Sequence, residues 1–327
     1  MPKVFVSTYP FGKSDTKPKD LLSKESKINA IYNPHSRKLT ATEVADLAAD
    51  ADAIIAGTED LSLLIENSKN LKLISRVGIG LDSVNLAACK ARGIRVCYTP
   101  DAVTMAVAEL TIGLMVSLTR QVSLADREIR EGKWIRHYGK RIGESVVGLV
   151  GFGRVGKNVA RMLLPFQPKI LVNDIQDISA EIGNFTKQGL DINIATKEEI
   201  FSNSDIVSLH LPAYSKTKEM ITEKTLAKFR KDSVLINTAR GELVSEKDLF
   251  MALSNGVIAG AALDVFTKEP YSGPLSQLPN VILTQHMGSC SYDCRLAMES
   301  EATEDTIRFF NGLDLLREVP EVEYSYQ

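Results

Sequence analysis

Three side chains of this 327-residue sequence combine reactive chemistry with a shared local setting. Arg240, Glu269 and His286 each come just after an apolar run, at 233–237, 258–265 and 281–284. An arginine fork matches the two oxygens of a carboxylate and polarises a neighbouring oxygen. A histidine takes a proton from a hydroxyl in one direction and returns it in the other. A glutamate beside that imidazole favours its cationic form, since unit charges about 4 Å apart at an effective dielectric of about 20 attract by about 4 kcal/mol. Only four histidines are present. His35 and His137 sit in polar turns and read as surface residues. His210 ends a run at 205–210, a place suited to a structural or ligand-edge role. Together the arginine, acid and imidazole suit proton transfer at an oxygen next to a carboxylate.

A partner for that chemistry is written upstream. The apolar run 146–150 leads directly into Gly151-Phe152-Gly153-Arg154-Val155-Gly156, after which apolar residues recur with helical spacing. In such a Gly-x-Gly-x-x-Gly turn Gly151 permits the sharp bend and Gly153 leaves backbone bare for a pyrophosphate. Gly156 lets helix and strand pack closely, and the helix N-terminus offers free N–H groups to the phosphates. A second apolar run, 170–173, ends in Asp174, 18 residues past the last glycine, with no arginine following it. An acid there accepts hydrogen bonds from an adenosine ribose and repels a 2′-phosphate. The expected cofactor is NAD, which supplies the hydride. With Arg240, Glu269 and His286, the expected reaction is hydride exchange between NAD and C2 of a 2-hydroxy acid.

The elements that must position these groups follow from alternating patterns. β-type runs at 3–7, 28–32, 53–56, 71–75 and 94–98 alternate with helical or polar segments, and Thr40-Ala41-Thr42-Glu43 has capping-box spacing. This implies an open, flavodoxin-like parallel sheet. Long helical tracts follow at 101–120 and 122–131. The alternation then resumes through 146–150, 170–173, 205–210, 233–237, 258–265 and 281–284, and one last helix covers 291–311. The expected fold is α/β with two Rossmann-like domains. One is a split, flavodoxin-like substrate domain of residues 1–100 plus 291–327; the other is a doubly wound NAD-binding parallel sheet of residues 101–290.

Bulk properties narrow the partners. Hydrophobic residues make up 44%, charged residues 24%, and the net charge is −2, which argues against nucleic acid or an anionic membrane. The apolar stretch 110–118 is bounded by Glu109 and Arg120 and is too short to span a bilayer. The N-terminus lacks a signal-peptide pattern. Four cysteines do not make a disulfide framework, so a reducing cytoplasm is expected. His286, Cys290 and Cys294 lack a fourth ligand and a zinc-site spacing; no metal is expected.

Four stretches in order carry a resemblance: Asn237-Thr238-Ala239-Arg240-Gly241-Glu242-Leu243-Val244, Ala259-Gly260-Ala261-Ala262-Leu263-Asp264-Val265-Phe266, Lys268-Glu269-Pro270, and Thr284-Gln285-His286-Met287-Gly288-Ser289. From about Leu71 to Asn311 the chain resembles the D-isomer-specific 2-hydroxyacid dehydrogenases, and within them the phosphoglycerate dehydrogenase-like branch. The resemblance implies Arg240 as substrate anchor, Glu269 as the acid paired with the histidine, and His286 as proton donor and acceptor. It further implies Asp264 near the nicotinamide carboxamide, with Thr238, Ala239, His210 and Thr104 lining the cofactor. The Val77-Gly78 backbone would hold the substrate carboxylate, with Arg76 near its distal group. Two positions depart from the pattern: Gln285 stands where the family usually has proline, and Ser245 where aspartate or asparagine is common. A C-terminal regulatory domain is not expected, the sequence given ending at Gln327.

Expected substrates are small 2-hydroxy and 2-keto acids. 3-Phosphoglycerate with 3-phosphohydroxypyruvate is one option, made attractive by Arg76 and the basic residues Arg136, Lys140 and Arg141; glyoxylate or hydroxypyruvate is another. A different class is an NADH-sensing corepressor of the same fold. A homodimer through the NAD domain is expected.

Overall fold

Short runs rich in valine, isoleucine and leucine become twelve strands among the described residues, 1–324, of the computed structural model. The chain divides into two units, Met1–Val103 with Ser289–Gln327, and Thr104–Gly288. These breaks differ from 100 and 290. The helix Thr104–Thr119 starts the second unit, and the Gly288 N–H is bonded to Asp264, which keeps residues up to 288 with their own sheet.

In the first unit β1 (Lys3–Val6), β2 (Asn29–Tyr32), β3 (Ala53–Ala56), β4 (Leu73–Arg76) and β5 (Arg95–Cys97) form a parallel sheet in the order β2-β1-β3-β4-β5. β3 and β4 are buried along their whole length, as expected of strands covered on both faces. Each fully buried Ile or Leu in them contributes roughly 1.5–3 kcal/mol. The C-terminal helix Tyr292–Phe310 returns to cover β3 and β4, and Ser75 donates to the Ala302 carbonyl at 2.8 Å. Beyond it, Arg317 reaches Asp305 at 3.0 Å and Glu304 at 2.9 Å. The chain then lies beside β5 through the Val319 N–H and the Val96 carbonyl.

The second unit holds β6 (Val146–Val150), β7 (Lys169–Asn173), β8 (Asp191–Ile194), β9 (Ile206–Leu209), β10 (Val234–Asn237), β11 (Gly260–Leu263) and β12 (Val281–Leu283). Their order is β12-β11-β10-β9-β6-β7-β8, all parallel. The order in which strands are added therefore reverses between β6 and β9, and a ligand crevice is expected at the C-terminal ends of those two strands. The helix Thr104–Thr119 packs on the helix Arg154–Leu163 and on β10, β11 and β12.

Some elements differ from the sequence reading. The lysine-rich segment contains a helix, Lys17–Lys24, started by Pro18 in its first turn and held by buried Leu22; its scattered lysines hid the single inward stripe. β8 went unread because only Ile192 of its four residues points inward. Between β9 and β10 the only α-helix among the described residues that follows the helical reading of 222–230 is a single turn, Glu223–Leu226. Among the described residues no single helix is long and apolar enough to cross a membrane.

Gly156 shows how tightly helix and strand meet: a β-carbon there would stand 2.3 Å from the Gly151 carbonyl oxygen, a backbone atom that cannot rotate away. Gly156→Ala should destabilise the protein by about 1–3 kcal/mol, read as a lower urea midpoint with unchanged slope. An unchanged midpoint would mean that the helix shifts freely over β6.

Candidate active site

At the C-terminal end of β6 the chain enters Gly151 at φ +98°, and a β-carbon there would lie 2.4 Å from the His210 carbonyl oxygen. Only glycine fits both the conformation and the space. Gly153 caps the helix Arg154–Leu163, and nothing stands within 4 Å of where its side chain would be. The first-turn N–H groups of Arg154, Val155 and Gly156 lack intrahelical acceptors, so bare backbone and a positive helix end meet beside the strand reversal. These residues fit a pyrophosphate. Asp174 follows β7. One of its oxygens accepts the Phe152 N–H at 2.6 Å and the other the Gln176 N–H at 2.9 Å, and each oxygen keeps lone pairs for ribose hydroxyls. His210 follows β9 and donates its N–H to the Val150 carbonyl at 2.8 Å, while its buried Nε2 has no hydrogen-bond partner.

The reactive groups stand on the next strands. After β10, the Asn237 side chain accepts the Ala239 N–H at 3.1 Å and donates to the Arg240 carbonyl at 2.8 Å, closing the turn that presents Arg240. Gly241 then passes so close to the following loop that a β-carbon would sit 2.0 Å from the Phe266 carbonyl carbon. That loop carries Glu269, whose Oε1 accepts the Phe266 N–H at 3.1 Å. Glu269 meets His286 Nδ1 at 2.9 Å through Oε2 and at 3.1 Å through Oε1. With the acid on Nδ1, that nitrogen carries a hydrogen and Nε2 is left to exchange a proton. His286 itself takes φ +50° and donates its N–H to the Asp264 carbonyl at 2.8 Å.

Residues 112–288 match the model of the D-isomer specific 2-hydroxyacid dehydrogenase, NAD binding domain. The chain belongs to that family. This dehydrogenase is 37% identical over 276 residues to a glyoxylate reductase of Thermofilum pendens, with 80% of this chain and 79% of the relative covered. A hydroxypyruvate reductase of Thermotoga maritima is 32% identical, covering 82% and 88%. A D-3-phosphoglycerate dehydrogenase of Methanocaldococcus jannaschii is 33% identical, and the match covers 84% of this chain but 52% of that relative. A solved Thermus thermophilus structure superposes with TM-score 0.86 at 29% identity over 97% of this chain and all of that one. The dehydrogenase is thus an NAD-dependent oxidoreductase of D-2-hydroxy acids with the two-domain Rossmann-like fold.

Other expected site residues are held by bonds within the protein. Arg76 ends β4 almost fully buried and folds its Nη1 back onto the Val77 carbonyl, over Gly78, instead of reaching outward. The two N–H groups expected to hold a carboxylate are already bonded. Val77 donates to the Ala56 carbonyl and Gly78 to Thr99 Oγ1, each at 2.8 Å. The first adds a rung to the β3–β4 ladder, a fact fixed by register and invisible in the motif. Asp264, expected at the nicotinamide, places its carboxylate against residues 284–288. His137 is not a free surface residue, since its ring meets Glu128 in a half-shielded pair. Lys140 of the basic loop pairs with Asp205 at 2.7 Å.

Two supporting residues escaped the sequence reading. Asn237 was read only as part of a motif. Thr111, buried in the helix that Thr104 opens, donates its hydroxyl to the Val107 carbonyl and lies 2.8 Å from the Thr238 hydroxyl. Its one hydrogen is therefore in use, so Thr238 is the donor of that pair and offers only lone pairs elsewhere. Helical spacing marks Thr111 as inward; nothing in the sequence says which strand end it meets.

Burial lowers His210 from the ordinary 6.5 to about 4. A ring held neutral in the folded state charges on unfolding, so between these values the unfolded chain binds the extra proton. The penalty is absent above pH 6.5 and grows as pH falls toward 4. His210→Gln should flatten the fall of the urea midpoint across that window; an equal slope in both proteins would show the ring to be hydrated.

Proposed function

We propose that this dehydrogenase is an NADH-dependent reductase of short 2-keto acids, with glyoxylate and hydroxypyruvate as its first candidates, and that His286 supplies the proton. The carrying observation is the His286–Glu269 pair at 2.9 Å, on neighbouring strand ends of the sheet whose glycine turn fits the dinucleotide. When bound, the cofactor exchanges a hydride with C2. The chain does the rest. The first-turn N–H groups after Gly153 hold the pyrophosphate, Asp174 takes the ribose, and Thr104, His210, Thr238, Ala239 and Asp264 border the site. Arg240 anchors the substrate carboxylate, His286 Nε2 gives a proton to the C2 oxygen on reduction and removes it on oxidation, and Glu269 stabilises the imidazolium.

Short unphosphorylated acids are favoured over 3-phosphohydroxypyruvate because Arg76, the cation expected for a phosphate, lies buried against its own strand end. The glyoxylate and hydroxypyruvate reductases also match over most of their length. Asp174, followed by Ile175, Gln176 and Asp177, favours NADH over NADPH. The four cysteines stand as thiols, which fits the cytoplasm.

The test is oxidation of NADH and NADPH with glyoxylate, hydroxypyruvate, pyruvate and 3-phosphohydroxypyruvate. Turnover should be highest for the first two with NADH. His286→Ala should lower kcat by at least about a thousandfold, as expected when a general acid is lost, with NADH binding intact. Retained turnover removes His286 from the mechanism. No turnover with any acid, together with NADH-dependent assembly, would favour a corepressor-like role instead.

We also propose a homodimer through the NAD unit. No residue of the helix Val122–Arg130 is fully buried, and Val122, Ile129, Trp134, Ile135 and Tyr138 are exposed within one short stretch. Such apolar surface marks an interaction site. Trp134→Glu with Tyr138→Glu should give a monomer by light scattering while the parent protein is a dimer; a monomeric parent would end this reading.

A further inference from the structure

The geometry points to Tyr271 as a positioning residue for Glu269, its ring closing the loop that carries the acid. This rests on the reading of Glu269 and His286 as the acid and imidazole of proton transfer. The loop starts at Phe266, after β11, and the rings of Phe266 and Tyr271 stack with centroids 4.2 Å apart and planes 21° from parallel. Phe266 is 8% exposed and sits in the apolar core of the second unit, and Tyr271 packs against that core. The Tyr271 hydroxyl oxygen accepts the Leu275 N–H at 3.1 Å, and a β-carbon at Gly273 would stand 2.4 Å from it. The ring is thus fixed by Phe266 along its plane and by the following turn at its tip.

Glu269 needs such a brace. Its side chain is 34% exposed and that of His286 39%, so burial does not hold a carboxylate that presents its oxygens to Nδ1 at 2.9 and 3.1 Å. On the leading side of the loop the Phe266 N–H donates to Glu269 Oε1 at 3.1 Å, and the Thr267 N–H to Glu246 Oε1 at 2.9 Å. On the trailing side Pro270 has no N–H to donate, and the tie is the Tyr271 ring. Phe266 therefore serves twice, its N–H holding the carboxylate and its ring holding the end of the loop. A second flat ring suits that place, since aromatic faces stack over a broad area in a preferred geometry. Without it the loop opens away from Phe266, Glu269 leaves Nδ1, and the imidazole loses its orientation. The glycine turn and Asp174 follow β6 and β7 and stay as they are. Burial raises the Tyr271 hydroxyl above its ordinary 10, so it carries no charge near neutral pH and acts through its ring.

The experiment compares Tyr271→Ala, Tyr271→Leu, Tyr271→Phe, Glu269→Ala, His286→Ala and the double variant Glu269→Ala with Tyr271→Ala against the parent enzyme. It reads kcat and KM with the best substrate of the keto-acid panel, and NADH dissociation constants by fluorescence titration. Tyr271→Ala should lower kcat by at least about tenfold, toward the hundredfold scale of a catalytic group misplaced by about 1 Å. Its NADH dissociation constant should stay within about twofold of the parent. Tyr271→Phe keeps the stacked ring and should keep kcat within about twofold. In the Glu269→Ala background, Tyr271→Ala should change kcat by less than about twofold, because a residue that acts through the acid has nothing left to position.

A loss in Tyr271→Ala that persists in full in the Glu269→Ala background would overturn the proposal, since the ring would then support something other than the acid. Parent-like kcat in both Tyr271→Ala and Tyr271→Leu would overturn it too. A tenfold loss in Tyr271→Phe would do the same, by making the hydroxyl the working group. Should Tyr271→Ala fail to fold, Tyr271→Leu, which fills the space without a ring, takes its place in the same comparison. Parent-like kcat in Glu269→Ala, or turnover by His286→Ala, would instead bring down the reading on which the proposal rests, and each is visible in its own arm.

Discussion

Close approach of backbone to backbone at the strand ends is the constraint on which the NAD unit depends. Gly151 lies against the His210 carbonyl, Gly156 against the Gly151 carbonyl, and Gly241 against the backbone of Phe266 and Thr267; none of the three leaves room for a β-carbon. The first two contacts join the strands on either side of the sheet reversal and the helix that starts there. The third brings the Arg240 turn against the loop that carries Glu269. A parallel sheet delivers all its strand ends to one edge, but delivery alone leaves loops several ångströms apart. Bare backbone closes that distance, and side chains of ordinary size would reopen it.

What could be read in the sequence divides along the same line. The glycine turn, Asp174, Arg240, Glu269 and His286 were legible because period and spacing place them: an apolar run predicts a strand, and the residue after it lies on the sheet edge. The partners of those residues were not legible. Whether the Val77 and Gly78 N–H groups point outward depends on register with β3 and on the Thr99 hydroxyl, both set by pairing far along the chain. Arg76 shows the same limit from the side-chain end, since a long guanidinium at a strand terminus can reach out or fold back and only packing chooses. Asp264, Thr284 and Asn237 carry carboxylate, hydroxyl and amide groups, yet Asn237 bonds the backbone of its own turn and Asp264 bonds Thr284 and the backbone of the turn after β12.

The discontinuous unit shows how buried charge can secure a long-range closure. Arg295 and Glu299, four residues apart on the helix Tyr292–Phe310, pair at 2.6 Å, and Glu299 also accepts the Gly12 N–H at 2.7 Å. Burial raises the Glu299 carboxyl above its usual range despite that cation. Taking such a pair out of water costs as much as the attraction returns, so its value lies in specificity. It joins a C-terminal helix to a loop after β1, and Arg317 with Asp305 does the same for the last described stretch. Removing one partner would leave the other charge buried alone, a far larger loss than the pair's net contribution.

The same asymmetry bears on how one family covers several substrates. On the proposed reading the reactive groups lie in the NAD unit, where each is braced by something that tolerates little change: a glycine contact behind Arg240, a backbone N–H behind Glu269, a buried carboxylate behind the His286 turn. In the first unit the corresponding strand end is closed by the buried side chains of Arg76 and Thr99, which bond to the Val77 carbonyl and the Gly78 N–H. Relatives that differ in the acid they are named for match this chain across most of its length.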